Sequence, residues 1–215
     1  MNLRIFDDPE SLARAAERTI RQSGAKTIVL TGGSTPKRLY ELLGQDLPGD
    51  VTWILLDERY VPLTDPQSNA AMIERTLFAQ GIPERWLRFK TELNDPAETA
   101  RVFEADWTRL GISAIDLVLL GCGDDGHTAS LFPGTPAMEV SDRIAVENWV
   151  PRLNQWRVTL TFPVIRSAKL RLVLATGESK APIIAAVRSG ADYPITRATK
   201  DVETWWLTDR AAAPP

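Results

Sequence analysis

Apolar and polar positions along the chain alternate between two rhythms, short apolar runs of strand length and longer stretches with helical spacing. "ESLARAAERTI" sets Leu12, Ala15, Ala16, Thr19 and Ile20 at helical intervals, with Pro9 near the start. "KTIVL" (26–30) reads as a strand, and "STPKRLYELL" as a helix with Ser34 or Thr35 at the N-cap and Pro36 in the first turn. "VTWILLD" (51–57) predicts the next strand, and "SNAAMIERTLFAQ" (68–80) a helix that stops at Gly81. "PAETARVFEADWTRL" lines up Ala100, Phe103, Trp107 and Leu110 on one helical face before Gly111. "IDLVLLG" (115–121) is apolar on both faces, as in the middle of a parallel sheet. "RIAVENWV", "WRVTLTF", "LRLVLAT" and "VETWWLT" are further strands, and "SKAPIIAAVRSG" is a helix with Pro182 in its first turn. Trp205 and Trp206 are neighbours in the last strand, so they face opposite sides, one of them open to an interface. The pattern predicts an α/β sandwich with a mainly parallel sheet, the strands around 143–162 being antiparallel additions.

The length of 215 residues suits one domain, or one with a small subdomain. A net charge of −3 and scattered basic residues give no electrostatic case for nucleic acid or an anionic membrane. No apolar run approaches membrane-spanning length and the N-terminus lacks signal-peptide character, so the expected compartment is the cytoplasm. One cysteine excludes an internal disulfide framework, and one cysteine with one histidine argues against zinc. A magnesium site of carboxylates stays open on this ground alone. The terminal "AAAPP" is expected to fray.

Four polar loops each follow a predicted strand directly: "TGGSTP", "DERY", "GCGDDGH" and "TGESK". Ligands of open α/β sheets bind outside the carboxyl ends of the strands, so four such loops point to one site. In "TGGSTP", Gly33 lets the backbone turn, and Ser34 and Thr35 offer hydroxyls at a helix N-terminus, suited to phosphate. The bland reading of the same residues is an N-cap on a glycine turn. Lys180 in "TGESK" opposes the dipole of its helix unless it binds an anion there; otherwise it is a solvated surface lysine. Asp57, Glu58 and Arg59 form either an ion-pair network or a fork aimed at phosphate or an oxyanion.

"GCGDDGH" matches the dinucleotide fingerprint G-x-G-x-x-G literally. Asp124 and Asp125 would repel a pyrophosphate, and Pro133 cuts short the helix that should follow. The glycines instead suit a tight loop that presents His127, with Asp125 placed to hold one tautomer of its ring. A capping or core histidine is the alternative. No G-x-S-x-G elbow is present, and Cys122 directly after an apolar strand reads as buried and inert.

"TGGSTP", "DERYVP" with "SN" at 68–69, "GCGDDGHTASLFPG", "RVTLT" and "TGESKA", in this order, resemble the glucosamine-6-phosphate isomerase/6-phosphogluconolactonase family. The resemblance runs roughly from residue 5 to 208, with "DGHTASLFPG" its most specific element. The deaminases of the family carry "DEY" and a different continuation after "DGH"; Arg59 and "TASLFPG" side with the lactonases. The resemblance implies a single domain over 1–215 with a Rossmann-like three-layer sandwich, of the kind shared by glucosamine-6-phosphate deaminase, ribose-5-phosphate isomerase and CoA-transferases. It implies hydrolysis of 6-phospho-glucono-1,5-lactone to 6-phosphogluconate, the second step of the oxidative pentose phosphate pathway, with neither metal nor organic cofactor. His127 would activate water, Asp125 would orient it, and Arg59 would stabilise the oxyanion or place the sugar. Gly33, Ser34, Thr35 and Lys180 would hold the phosphate. Arg157 is a second phosphate partner or a strand-surface cation, and Asp57 and Asn69 contact sugar hydroxyls or fix the Arg59 loop. The expected partner is a small sugar-phosphate lactone, with the chain a monomer or weak homodimer. The alternatives are an aminosugar-phosphate isomerase/deaminase on the same fold and a non-catalytic sugar-phosphate sensor. The latter expects a DNA-binding segment, and none fits before residue 26.

Overall fold

The computed structural model describes residues 1–213. Its larger sheet has seven strands, all parallel: β1 (Asn2–Phe6), β2 (Thr27–Leu30), β3 (Thr52–Leu55), β5 (Trp86–Leu87), β6 (Leu117–Gly121), β9 (Leu170–Ala175) and β10 (Thr204–Asp209). A second sheet of three antiparallel strands contains β4 (Asp57–Arg59), β7 (Ala145–Val150) and β8 (Gln155–Leu160). The helices are α1 (Pro9–Ser23), α2 (Ser34–Leu43), α3 (Asn69–Thr76), α4 (Pro96–Arg109), α5 (Phe162–Ser167), α6 (Ala181–Arg188) and α7 (Pro194–Thr199). Among the described residues no helix is long and apolar enough to cross a membrane.

The strand order is β1-β10-β9-β6-β2-β3-β5. From β2 the chain builds outward through β3 to β5, and from β6 it builds the other way through β9 to β10. The topological switch therefore lies between β2 and β6, where a crevice opens beyond the carboxyl ends of the strands. Every residue of β3 is buried, as are four in succession in β6 and five in β9, so both faces of the sheet are covered. This is the expected α/β sandwich. Helices α1, α2 and α3 pack in sequence on one another, and α4 packs on β7 and β8. Trp53, Phe78 and Trp86 form an edge-to-face cluster near one sheet edge, and Phe89 stacks on Phe103 at 4.1 Å.

Several expectations are revised. "VTWILLD" is not one strand: Leu56 bonds Leu30 O through its N–H (2.8 Å) and accepts from Leu160 N (2.9 Å), which ends β3 and starts β4 in the other sheet. The N-cap of α2 is Gly33, not Ser34 or Thr35; its φ of 105° favours glycine, and both hydroxyl residues fall inside the first turn. Helix α3 is capped by Ser68, whose hydroxyl accepts from Ala71 N, and it ends at Thr76, short of Gly81. Lys180 closes a 3-10 turn (Glu178–Lys180) rather than sitting inside α6. Strands β1 and β5 and helices α5 and α7 were not predicted. The tail does not fray through Ala213: Ala212 N bonds Asp209 Oδ1 (2.8 Å), and Ala212 and Ala213 are buried. Pro214 and Pro215 lie outside the described residues. Trp206 is buried, and Trp205 is half-buried with the Arg4 guanidinium 3.6 Å over its ring.

Candidate active site

A cleft of about 230 Å³ lies at the switch point. Gly33, Ser34, Thr35, Asp57, Arg59, Asn69, His127, Arg157 and Lys180 all line it, and Asp125 stands behind His127. These candidate site residues from the sequence are therefore brought to one place. The four loops reach it because they leave β2, β3, β6 and β9, adjacent central strands that all end on the same side.

The loop after β6 is built around the histidine ring. Gly123 N bonds His127 O (2.8 Å) and Gly126 N bonds Gly123 O (2.9 Å), closing a tight turn. A Cβ on Gly123 would sit 2.0 Å from His127 Nδ1, so only glycine lets the ring lie there. Gly126, at φ 77°, has Tyr193 where its Cβ would be. Nδ1 of His127 is 2.5 Å from Asp125 Oδ1, and the ring stacks on Phe132 at 4.1 Å. The Asp125 carboxyl is held below its ordinary range by the hydrogen bond and charge of His127 and by Arg152, which outweigh its burial. As a carboxylate it only accepts, so Nδ1–H is the donor and the lone pair sits on Nε2. Burial of the imidazole, opposed by Asp125, holds its pKa below the ordinary histidine value. The ring is therefore neutral at neutral pH.

The facing wall comes from the small sheet. Arg59 of β4 lies opposite Arg157 of β8 in the register, and Asp57 lies opposite Thr159. Residues two apart on a strand share a face, so Asp57, Arg59 and Arg157 point the same way. Asp57 is buried and accepts from Ser130 Oγ at 2.6 Å. Arg59 donates through Nη1 to Gln67 O (2.7 Å) and Asn69 Oδ1 (2.8 Å). Asn69 in turn donates through Nδ2 to Asp57 O (2.9 Å), so it does fix the Arg59 loop. Arg157 is only 8% exposed, which removes the reading of a strand-surface cation. Its Nε has no hydrogen-bond partner among the described residues. Burial pulls its pKa down to about 10, still charged at neutral pH. Two arginines facing each other across a ladder repel, and an anion between them would relieve this.

On the third side, Lys180 Nζ reaches Asp124 Oδ1 at 2.6 Å and is mostly buried, so it is not a freely solvated lysine. Thr35 Oγ1 lies 3.1 Å from Thr176 Oγ1, tying the loop after β2 to the loop after β9. Ser34 is exposed at the start of α2. Cys122 is buried and its thiol is pushed up to about 12 by desolvation, which makes it inert as expected. No cluster of three or more histidine, cysteine or acidic side chains suited to a metal occurs among the described residues.

The sequence reading missed two contributors, Ser130 and Arg152, and left the role of Glu58 open. Ser130, in the same loop as His127, holds Asp57. Glu58 is buried and receives the N–H groups of Arg59, Asn69 and Ala70 at 2.8 Å each, pinning the start of α3; its burial pushes the carboxyl up to about 7. Arg152 bonds the outer oxygen of Asp125 at 2.5 Å from the β7–β8 hairpin. Nothing local in "VPRLNQ" marks it, because the contact exists only after the hairpin folds over the loop.

The fold and this cleft define an α/β protein with a cationic pocket at a topological switch and one histidine–carboxylate pair in its wall. The chain belongs to the glucosamine-6-phosphate isomerase/6-phosphogluconolactonase family, whose model matches residues 9–206. It is 39% identical over 210 residues to a 6-phosphogluconolactonase of Synechocystis, covering 91% of this chain and 86% of that one. A solved 6-phosphogluconolactonase from Trypanosoma cruzi superposes with a TM-score of 0.87 at 26% identity, over 98% of this chain and 95% of that one. A solved monomeric glucosamine-6-phosphate deaminase shares the fold, with a TM-score of 0.83 at 23% identity over 99% and 98% of the two chains.

Proposed function

We propose that the protein hydrolyses 6-phospho-D-glucono-1,5-lactone to 6-phospho-D-gluconate. The observation that carries this reading is the pairing of a neutral, oriented imidazole with a wall of fixed cations across one small cleft. A lactone is an activated ester, so one general base and one oxyanion stabiliser suffice.

His127 Nε2 takes a proton from a water as that water adds to C1 of the lactone. The ring carbonyl becomes an oxyanion, which Arg59 stabilises from its mount on Gln67 and Asn69. The C1–O5 bond then breaks, and the imidazolium returns its proton to O5, freeing the C5 hydroxyl. Asp125 keeps Nδ1 as the donor throughout and stabilises the transient imidazolium. The amide end of α2 with Gly33, Ser34 and Thr35 holds the phosphate together with Lys180. Arg157, charged and with an unpartnered Nε, is a second cation for it. Asp57 faces the sugar hydroxyls, held by Ser130.

The test is product formation by the purified protein. 6-Phosphogluconate should form from the lactone well above the spontaneous rate, and glucosamine 6-phosphate should release no ammonia. Ammonia release without lactonase activity would assign the chain to the other branch of its family.

A further inference from the structure

Asp125 has two oxygens and two partners. Oδ1 faces Nδ1 of His127 and Oδ2 faces Nη2 of Arg152, each at 2.5 Å. Arg152 also lies 5.0 Å over the ring of Phe132, the same ring that stacks on His127. Its backbone is fixed by a 3-10 turn, Pro151–Leu153, closed by Asn154 in the left-handed region at φ 47° with its N–H on Pro151 O. One guanidinium therefore clamps both supports of the imidazole, the carboxylate at its edge and the phenyl on its face. The clamp comes from a hairpin remote in sequence from the loop it holds.

We propose that Arg152 is a positioning residue, which locks Asp125 and Phe132 around His127 and keeps the imidazole aimed into the cleft. This rests on the reading of His127 as the base. The charges around the ring are Asp125 in its own loop, Asp57 from β4 and Arg152 from the hairpin, with the Arg157 guanidinium of β8 5.9 Å from the centre of the Phe132 ring. The two carboxylates favour the imidazolium and Arg152 opposes it. Removing Arg152 takes away a repelling cation and leaves Asp125 wholly to the histidine, so both effects raise the proton affinity of the ring.

His127 is the sole histidine of the chain, so its titration is read directly by NMR without any need for activity. Arg152 is half-exposed, so Arg152→Gln and Arg152→Lys are expected to fold, and thermal melts check this. In Arg152→Gln the imidazole midpoint should rise by roughly half a pH unit, and the acid limb of kcat/KM should move with it. At pH values well below both midpoints this lowers kcat/KM about threefold, while KM at pH 8 stays near wild type. Arg152→Lys, which keeps the charge, should return the midpoint toward wild type. A midpoint unmoved in Arg152→Gln would overturn the proposal. So would a moved midpoint with an unmoved acid limb, or a loss confined to KM, which would make Arg152 a substrate contact. Wild-type protein without lactonase activity would contradict the proposed function instead, and the NMR midpoints would still report whether the clamp exists.

Discussion

Gly32 is where the backbone of the first loop touches the mount of Arg59, and Gly32→Ala should break that mount. A Cβ at this position would lie 1.9 Å from Asn69 Oδ1 and 2.1 Å from its Cγ. Ordinary contact begins near 3.4 Å, so the Asn69 amide must retreat by roughly 1.5 Å. It has nowhere to go without losing partners, because the side chain is buried and bonded at both ends, from Arg59 Nη1 at 2.8 Å and to Asp57 O at 2.9 Å. One buried hydrogen bond and one part-buried bond from a charged group are worth about 2–4 kcal/mol together. For a chain of this size that is a fall in Tm of about 5–15 °C. The assay is a double-mutant cycle by urea or thermal melts with Asn69→Ala. In the Asn69→Ala background the amide is gone, and Gly32→Ala should cost less than about 0.5 kcal/mol. An equal loss in both backgrounds would refute the reasoning and place the strain in the backbone at 32.

Three other outcomes follow from the same geometry. Lys180→Ala should raise KM about tenfold or more with kcat nearly unchanged, the signature of lost ground-state binding; an unchanged KM removes it from the phosphate site. Ser130→Ala leaves a buried carboxylate oxygen of Asp57 without its donor, so melts should show a loss of about 1–3 kcal/mol, and a neutral variant would contradict that. The pH profile of kcat/KM should be flat above neutrality and fall as the imidazole protonates. Burial lowers the His127 pKa, so the midpoint of that single-proton limb lies below about 6.5, and a midpoint above it would contradict the neutral ring.

The four loops were legible because each is a polar segment placed directly behind a fully apolar strand, and that boundary is local in sequence. The parallel core was legible for the same reason. What sequence hid depends on pairing between distant segments. "VTWILLDERY" is one continuous apolar-to-polar run, and only the hydrogen bonds of Leu56 to β2 and β8 divide it between two sheets. That division is what places Arg157 opposite Arg59, so the choice between surface cation and site residue had no local answer. Ser34 and Thr35 looked like caps because hydroxyls usually win that position, but the left-handed turn at Gly33 moved the cap back by one residue. Strand β1 is a five-residue edge strand, mostly exposed, and carries little apolar signal. Arg152 acts through a hairpin that sequence predicts only as two strands.

The central claim is that His127 activates the water that opens the lactone. It is tested most directly by comparing the wild-type protein with His127→Ala in one coupled assay. Glucose-6-phosphate dehydrogenase generates the lactone in place, and 6-phosphogluconate is followed above the spontaneous rate. The account predicts rapid formation by the wild type and a loss of about 10²–10⁴-fold in turnover in the variant, with KM little changed. Near-normal turnover by a folded His127→Ala would contradict it.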